Sequence, residues 1–242
     1  MTKILRADNL TKTYKGRRVV DDVSFTMTNR DIVGLLGPNG AGKTTTFYMV
    51  VGLIRADQGS VHMDGKEMTH LPMYQRARNG IGYLPQEPSV FRKLTVYENV
   101  ISILETLPLS RFDREKRAKE LLDEFGILHL SNHVALSLSG GERRRLEIAR
   151  ALCSEPSFIL LDEPFAGIDP IAVADIQDVV LKLRERGIGI LITDHNVRDT
   201  LGITDRAYIL SEGRIIEEGT PEKIAASEQA RNIYLGKNFS LK

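Results

Sequence analysis

The sequence reads Gly37-Pro38-Asn39-Gly40-Ala41-Gly42-Lys43-Thr44-Thr45 across the stretch that decides its fold, named here the phosphate loop (residues 37–45). This run satisfies the phosphate-binding pattern Gly-x4-Gly-Lys-[Ser/Thr]. The apolar run 32–36 before it predicts a buried strand, and residues 44–51 after it predict a helix that ends at Gly52. Because the pattern binds phosphate in this order of strand, loop and helix, the stretch predicts a nucleotide site.

The residue types of the phosphate loop suit an anion. Gly37, Gly40 and Gly42 allow the backbone to curl so that successive N–H groups converge, and the helix N-terminus adds partial positive charge. We expect Lys43 to reach the β- and γ-phosphates of ATP and Thr44 to offer a hydroxyl ligand to Mg²⁺. The alternative is a glycine-rich turn with a surface lysine, which the flanking strand and helix disfavour.

Composition describes an ordinary globular chain. Its 242 residues are 42% hydrophobic and 27% charged, with a net charge of +1, so we expect one domain with an ample core and no nucleic acid partner. The single cysteine, Cys153, excludes an internal disulfide and favours a core position in a reducing compartment. No run approaches the ~18 apolar residues of a spanning helix, which predicts a chain that is neither secreted nor embedded in a membrane.

Periodicity divides the chain into three parts. Alternation at 23–28 and 61–63 predicts half-buried strands of an antiparallel layer in the first third. From about residue 72 to 153 the apolar residues recur at helical spacing, which predicts an inserted helical region. The last third predicts a parallel or mixed sheet, with strands at 158–161, 188–192, 207–210 and 214–217 and a helix at 171–186. The fold class expected is therefore α/β.

A second glycine-rich helix entry lies at residues 138–142, named here the signature loop. Ser139 is followed by Gly140 and Gly141, and Glu142 comes three residues after the serine, which predicts a capping box. Such a helix N-terminus also receives anions. Taken alone, the serine could equally be an N-cap and nothing more.

Two adjacent acids, Asp162 and Glu163, end the apolar strand run 158–161. Ligands of open α/β sheets bind at the carboxyl ends of the strands, so both acids are candidates for the site. Asp162 suits the Mg²⁺ shell, and Glu163 suits the polarisation of an attacking water. A capping or surface role is the alternative, but an apolar run that ends in two acids disfavours it.

The order of these motifs resembles that of ATP-binding cassette (ABC) ATPases over nearly the whole chain, with a P-loop NTPase core, an antiparallel β layer and an inserted helical subdomain. The resemblance implies that two chains pair head to tail, with each ATP between one chain's phosphate loop and the other's signature loop. It also implies further site residues by position. These are Tyr14 for adenine stacking, Gln86 for Mg²⁺ and water, Asp169 for a contact across the dimer, His195 for the γ-phosphate, and Ser139, Gly140, Gly141 and Glu142 for the second ATP.

Two positions leave alternatives open. By spacing alone, Tyr14 could equally be a strand-end tyrosine with no ligand. The loop Ala166-Gly167-Ile168-Asp169 departs from the commoner Ser-Ala-Leu-Asp of the family, so any bond made by that serine has no counterpart here.

Within the family, stretches at 44–52, 82–93, 163–170 and 234–236 resemble the ATPase subunits of lipopolysaccharide exporters. The resemblance implies a homodimer beneath two integral membrane subunits, on the cytoplasmic face of the inner membrane. Branched-chain amino-acid importers carry similar ATPases and are the alternative. A soluble cassette protein that acts on nucleic acid or ribosomes is a further alternative, which the absence of a second cassette and of sustained heptads disfavours.

We expect the whole chain, 1–242, to form one domain, with the helical subdomain at about 87–155 and a short tail at about 228–242. Phe91 follows Gln86 in a polar loop and is the candidate for docking a membrane subunit. A buried core position for Phe91 is the alternative.

Overall fold

A computed structural model describes residues 1–167 and 170–241 of the chain. It contains two sheets, surrounded by helices. The strands are β1 (Ile4–Tyr14), β2 (Arg17–Thr28), β3 (Ile32–Leu36), β4 (Gln58–Met63), β5 (Lys66–Glu67), β6 (Ile81–Leu84), β7 (Phe158–Asp162), β8 (Gly189–Thr193), β9 (Arg206–Ser211) and β10 (Arg214–Gly219). The α-helices are α1 (Lys43–Val51), α2 (Met73–Arg78), α3 (Val96–Leu104), α4 (Arg111–Glu124), α5 (Gly140–Leu152), α6 (Pro170–Glu185), α7 (Val197–Leu201), α8 (Pro221–Ala226) and α9 (Glu228–Ala230).

The larger sheet has the order β10-β9-β3-β8-β7-β6. Its strands pair in parallel from β9 to β6, and β10 joins the edge as an antiparallel strand. All residues of β3, β7 and β8 are buried, which explains their continuous apolar sequence. The smaller sheet, β2-β1-β4-β5, is antiparallel and supplies the layer predicted from alternation. The predicted α/β class is confirmed.

One strand lies where the sequence predicts only helical periodicity. Strand β6 pairs in parallel with β7 and forms the edge of the larger sheet, inside the region 72–153. Its four residues, Ile-Gly-Tyr-Leu, are too few for a period of two to stand out from a helical pattern. The strand matters because it leads directly into Gln86.

A buried arginine closes the far end of α1, the helix that follows the phosphate loop. Arg76 is 2% exposed, and its Nη1 donates to the carbonyl oxygens of Met49 (2.8 Å) and Val50 (2.6 Å). These carbonyls belong to the last turn, where no intrahelical donor remains. Burial lowers the pKa of Arg76 to about 10, so the group stays charged at neutral pH and complements the negative end of the helix. The contact fixes the position of α1 against α2.

Helices α3, α4 and α5 follow β6 and precede β7. They share one core with the larger sheet, in which Val100, Leu121, Leu146 and Ile159 are fully buried. Cys153 is buried in the same core, as predicted. The segment after β6 is also bonded to the segment before the signature loop, since Thr95 forms a bridge with Val134.

The segment that follows β10 packs on the edge of the larger sheet. Helices α8 and α9 and a π-helical turn, Arg231–Leu235, cover Leu36 and Ile209. Across the described ranges, no helix combines the length and the apolar character that crossing a membrane requires.

Candidate nucleotide site

The phosphate loop has a backbone that only glycine fits at two of its positions. Gly37 has φ +147°, and a Cβ there would lie 2.1 Å from the carbonyl oxygen of Leu210. Gly42 has φ +100°, and a Cβ there would lie 2.5 Å from the carbonyl oxygen of Val19. Both conformations are in the region that favours glycine, and both contacts are with backbone that cannot move away cheaply. The chain's own packing therefore requires these glycines.

Lys43 folds back over the phosphate loop. Its Nζ donates to the carbonyl oxygens of Gly37 (2.7 Å) and Pro38 (3.1 Å). Burial lowers the pKa of Lys43, and the carboxylates of Glu163 and Asp194 partly oppose this shift. The ammonium is thus held inside the loop by neutral carbonyls, in a place where phosphate oxygens would be stronger partners.

The two predicted acids lie together at the end of β7 and are hydrogen-bonded to the neighbouring strand β8. Asp162 ends β7, is 3% exposed and accepts a hydrogen bond from Thr193 Oγ1 (3.1 Å) of β8. The N–H of Glu163 donates to the carbonyl oxygen of Thr193 (2.7 Å). Glu163 has φ +44°, which costs a residue other than glycine about 1–3 kcal/mol and is concentrated at functional sites.

Three side chains named from the sequence meet at the Glu163 carboxylate. Gln86 Nε2 donates to Glu163 Oε2 (2.9 Å), and His195 Nδ1 lies 3.4 Å from the same oxygen. Gln86 follows β6, Glu163 follows β7 and His195 follows β8, so the parallel strands bring them to one edge of the sheet. Acid, amide and imidazole together can bind and polarise a water molecule.

Asp194 is a residue of this edge whose role the sequence analysis missed. It is fully buried, and it accepts hydrogen bonds from the N–H groups of Phe165 (2.9 Å) and Asn196 (2.7 Å). Burial raises the pKa of Asp194, and these two bonds partly oppose the shift. The carboxylate ties the loop after Glu163 to the loop that carries His195. Its position at the end of a buried strand was the available signal.

The signature loop forms the predicted capping box. Ser139 is the N-cap of α5 and accepts from the N–H of Glu142, whose carboxylate in turn accepts from the Ser139 N–H (2.8 Å) and hydroxyl (2.7 Å). These bonds lower the pKa of Glu142. A Cβ on Gly140 or Gly141 would meet no atom within 4 Å, and neither residue has a positive φ. Nothing within the described chain requires glycine here.

The signature loop borders a cleft that the phosphate loop does not line. Gly140 and Gly141 line a cleft of 330 Å³ that also touches Gln86 and Glu163. None of the residues 37–45, all of which the structure describes, lines this cleft. Within one chain, therefore, the two anion-receptive loops do not share this cleft.

A buried acid clamps the loop at residues 85–91 to helix α5. Glu147, 5% exposed, accepts from the N–H of Ser89 (2.6 Å) and pairs with Arg144 (3.0 Å). Arg144 also donates to the carbonyl oxygen of Pro85 (3.1 Å), and Arg150 donates to that of Ser89 (2.6 Å). The residues on both sides of Gln86 are thus bonded to the helix that begins at the signature loop.

Two aromatic residues named from the sequence lie at the surface. Phe91 is 47% exposed, with the Arg150 guanidinium 4.5 Å from its ring centroid, so the alternative of a buried core position is wrong. Tyr14 is 44% exposed at the end of β1, with Lys12 Nζ 5.5 Å from its ring centroid. Both rings are therefore accessible to solvent, and each has a cation close to it.

The remaining sequence-based positions are distributed as follows. Thr44 is exposed at the start of α1, at the end of the phosphate loop. Asp169 lies outside the described residues. In the loop that begins at residue 166 and differs in sequence from most family members, the N–H of Ala166 donates to the carbonyl oxygen of Glu163 (3.2 Å), and Gly167 has φ +69°.

Comparisons with known proteins cover nearly the whole chain. The ABC transporter family model matches residues 20–166. The lipopolysaccharide export system ATP-binding protein LptB of Haemophilus influenzae is 59% identical over 239 residues, 98% of this chain and 99% of that protein. The ADP conformation of MJ1267, an ATP-binding cassette of an ABC transporter, has a TM-score of 0.86 at 31% identity and covers 97% of this chain and 99% of its own. The dimeric post-hydrolysis structure of the ATP-binding cassette MJ0796, bound to ADP and Pi, has a TM-score of 0.77 at 27% identity, over 90% of this chain and 98% of its own.

Proposed function

The chain belongs to the ABC transporter family of ATPases, and we propose that it powers the export of lipopolysaccharide from the inner membrane. The ATPase activity follows from the family, whose motifs are present in order. The choice of lipopolysaccharide is supported by the Haemophilus influenzae relative, which matches at 59% identity from end to end. The stretches 44–52 and 82–93 support the same choice.

The observation that carries the proposal is the division of the site. Gln86 and His195 meet at the Glu163 carboxylate, and the signature loop lines a cleft with Gln86 and Glu163 that no residue of the phosphate loop borders. Gly140 and Gly141 lie in open space with ordinary φ, although glycine costs a helix about 1 kcal/mol relative to alanine. An outside group that approaches the backbone closely explains them. We assign this role to ATP bound by a second copy in a head-to-tail homodimer, and the dimeric structure of the similar cassette MJ0796 supports a dimer.

In this dimer the chain's residues divide the chemistry. Lys43 leaves the carbonyls of Gly37 and Pro38 and neutralises the β- and γ-phosphates. Glu163 accepts the proton of the water that attacks the γ-phosphorus, while ADP leaves. Gln86 and His195, which both reach Glu163 Oε2, orient that water and the γ-phosphate. Tyr14 stacks on adenine, and Asp169 contacts the second copy.

The residues present fit a magnesium ion. Mg²⁺ prefers oxygen ligands and keeps several waters, and the site offers the Thr44 hydroxyl, the Asp162 carboxylate and the Gln86 amide oxygen. Asp162 ends β7 and Thr44 lies in α1, which follows β3, so both lie at the carboxyl ends of parallel strands of the larger sheet. When bound, the ion would neutralise charge on the β- and γ-phosphates.

We assign the exposed ring of Phe91 to the contact with two integral membrane subunits, which places the chain on the cytoplasmic face of the inner membrane. The ring is accessible, and its loop is bonded to α5 through Glu147 and Arg150. The loop that carries Phe91 is therefore held against α5, and its exposed ring is the group that a partner helix would contact.

The catalytic assignment is tested by Glu163→Gln. We expect ATP to bind, turnover to fall about 10²- to 10⁴-fold, and an ATP-dependent dimer to accumulate in size-exclusion chromatography. Glu155→Gln is the matched control, because Glu155 is an exposed acid with a similar φ of +49° between α5 and β7. Wild-type turnover in Glu163→Gln contradicts the role of the base.

The transport assignment is tested by affinity purification of the tagged chain from solubilised membranes. We expect two integral subunits that, in proteoliposomes, stimulate ATPase activity when lipopolysaccharide is supplied. Phe91→Glu should lose these subunits and keep ATP binding, whereas Phe112→Glu, at a ring that is 74% exposed on α4, should keep both. If branched-chain amino acids stimulate the ATPase activity instead, the result supports the alternative that the chain is the ATPase subunit of an amino-acid importer.

A further inference from the structure

Two tyrosine hydroxyls lie beside the buried acid that ends β7. Those of Tyr48 and Tyr83 interact with each other and with the Asp162 carboxylate. On its other side, the same carboxylate accepts from Thr193 Oγ1 (3.1 Å). A carboxylate that is 3% exposed has lost most of its hydration, so neutral hydroxyls beside it are suited to donate hydrogen bonds to it.

The positions of the two tyrosines follow from the secondary structure. Tyr48 lies four residues after Thr44 on α1, so both side chains lie on one face, a turn apart. Tyr83 is paired in register with Leu160, and alternation along β7 puts Asp162 on the same face as Leu160. Both tyrosine rings also contact Phe47, with centroids 6.2 Å and 6.1 Å away. The rings are therefore fixed by packing, and their hydroxyls converge on Asp162.

This arrangement joins the elements that carry the three oxygen ligands. Tyr48 belongs to the helix of Thr44, Tyr83 lies three residues before Gln86, and both meet Asp162. We propose that Tyr48 and Tyr83 are positioning residues of the magnesium site, whose hydroxyls hold the Asp162 carboxylate in the orientation that the ion requires. The inference rests on the proposed role of Asp162 as a Mg²⁺ ligand. Groups that orient metal ligands from outside the coordination shell typically change metal affinity about 10- to 100-fold.

The test compares ATP affinity in the presence of Mg²⁺ and of EDTA, by calorimetry on the full chain with Glu163→Gln to prevent turnover. In the Tyr48→Phe, Tyr83→Phe double variant, we expect the gain in affinity due to Mg²⁺ to shrink about 10-fold or more. The metal-free affinity should not change, because phenylalanine keeps the packing on Phe47. Tyr208→Phe is the matched control, since its buried hydroxyl bonds to Thr26, outside the site.

A parallel Asp162→Asn variant separates the two hypotheses. If Asp162→Asn abolishes the Mg²⁺ effect and the double variant keeps it, the tyrosines have no positioning role and the inference is overturned. Equal losses of affinity with Mg²⁺ and with EDTA in the double variant also overturn it, because they indicate a structural role alone. If Asp162→Asn itself keeps the full Mg²⁺ effect, the magnesium assignment within the proposed function is wrong, and the inference falls with it.

Discussion

The phosphate loop and the signature loop are both glycine-rich entries to a helix, but their glycines answer to different constraints. At Gly37 and Gly42 the backbone has positive φ, and a Cβ would collide with neighbouring carbonyl oxygens. At Gly140 and Gly141 the backbone is ordinary and the space is open. The first loop is therefore shaped by the chain's own fold, whereas nothing in the described chain constrains the glycines of the second, as the proposed contact with the ATP of a second copy would require.

The largest expected effect tests whether the two loops serve different copies. Lys43→Ala and Gly140→Val should each lower ATPase activity at least about 10²-fold, because each removes one side of the nucleotide site. When the two variants are mixed and exchange subunits, each heterodimer contains one site with an intact phosphate loop and an intact signature loop. ATPase activity, measured by phosphate release, should therefore recover well above that of either variant alone.

The control for subunit mixing is a chain that carries Lys43→Ala and Gly140→Val together, which has no intact combination and should stay inactive. Wild-type turnover by Gly140→Val alone would contradict the claim that the signature loop completes the nucleotide site of the second copy. The glycines of the signature loop would then have no functional explanation.

A smaller effect, on stability, separates the loops without nucleotide. Gly37→Ala should lower the free energy of unfolding by about 3 kcal/mol, since it forces a Cβ onto the Leu210 carbonyl at an unfavourable φ. Gly140→Ala should raise it by up to about 1 kcal/mol, since alanine loses less entropy in a helix. Urea unfolding of the apo chain measures both. Equal destabilisation by the two substitutions is incompatible with the difference described above.

The smallest effect concerns pH and belongs to the signature loop alone. The bonds from Ser139 hold the pKa of Glu142 below its ordinary value of about 4.3, so this carboxylate stabilises the folded state above that value. Its contribution is lost as the pH falls through the lowered pKa. Glu142→Gln should therefore cost about 0.3–1 kcal/mol at neutral pH and nothing at low pH, as measured by melting at several pH values. No acid lies in the first turn of α1, so the phosphate loop has no corresponding pH-dependent contribution to stability from a carboxylate.

Local signals in the sequence were sufficient for much of this architecture. The apolar runs predicted β3 and β7, Gly52 correctly ended α1, and the serine and glutamate at 139 and 142 predicted the capping box. These features depend on residues close together in the chain, where spacing decides the structure. The apolar run 158–161 also predicted that Asp162 and Glu163 would lie at the carboxyl end of a buried strand.

Other features depend on contacts between distant residues and could not be predicted. Strand β6 is too short to have a period of its own, and it becomes a strand by pairing with β7. The hydrogen bond from Lys43 Nζ to the carbonyl oxygen of Gly37 depends on which acceptors the folded loop brings close to the ammonium. The spacing of residues in the sequence does not determine this. Tyr48 and Tyr83 resemble core aromatics in the sequence, and only the meeting of α1, β6 and β7 brings both hydroxyls to Asp162.

The clamp formed by Glu147 has a mechanical consequence. Because the residues on both sides of Gln86 are bonded to α5, a force applied at Phe91 displaces Gln86 and the start of α5 together. In the proposed dimer, Gln86 faces the chain's own ATP and the start of α5 faces the ATP of the neighbour. A force from one membrane subunit on Phe91 would then act on both nucleotide sites at once. This coupling would favour simultaneous release of ADP and phosphate from the two sites.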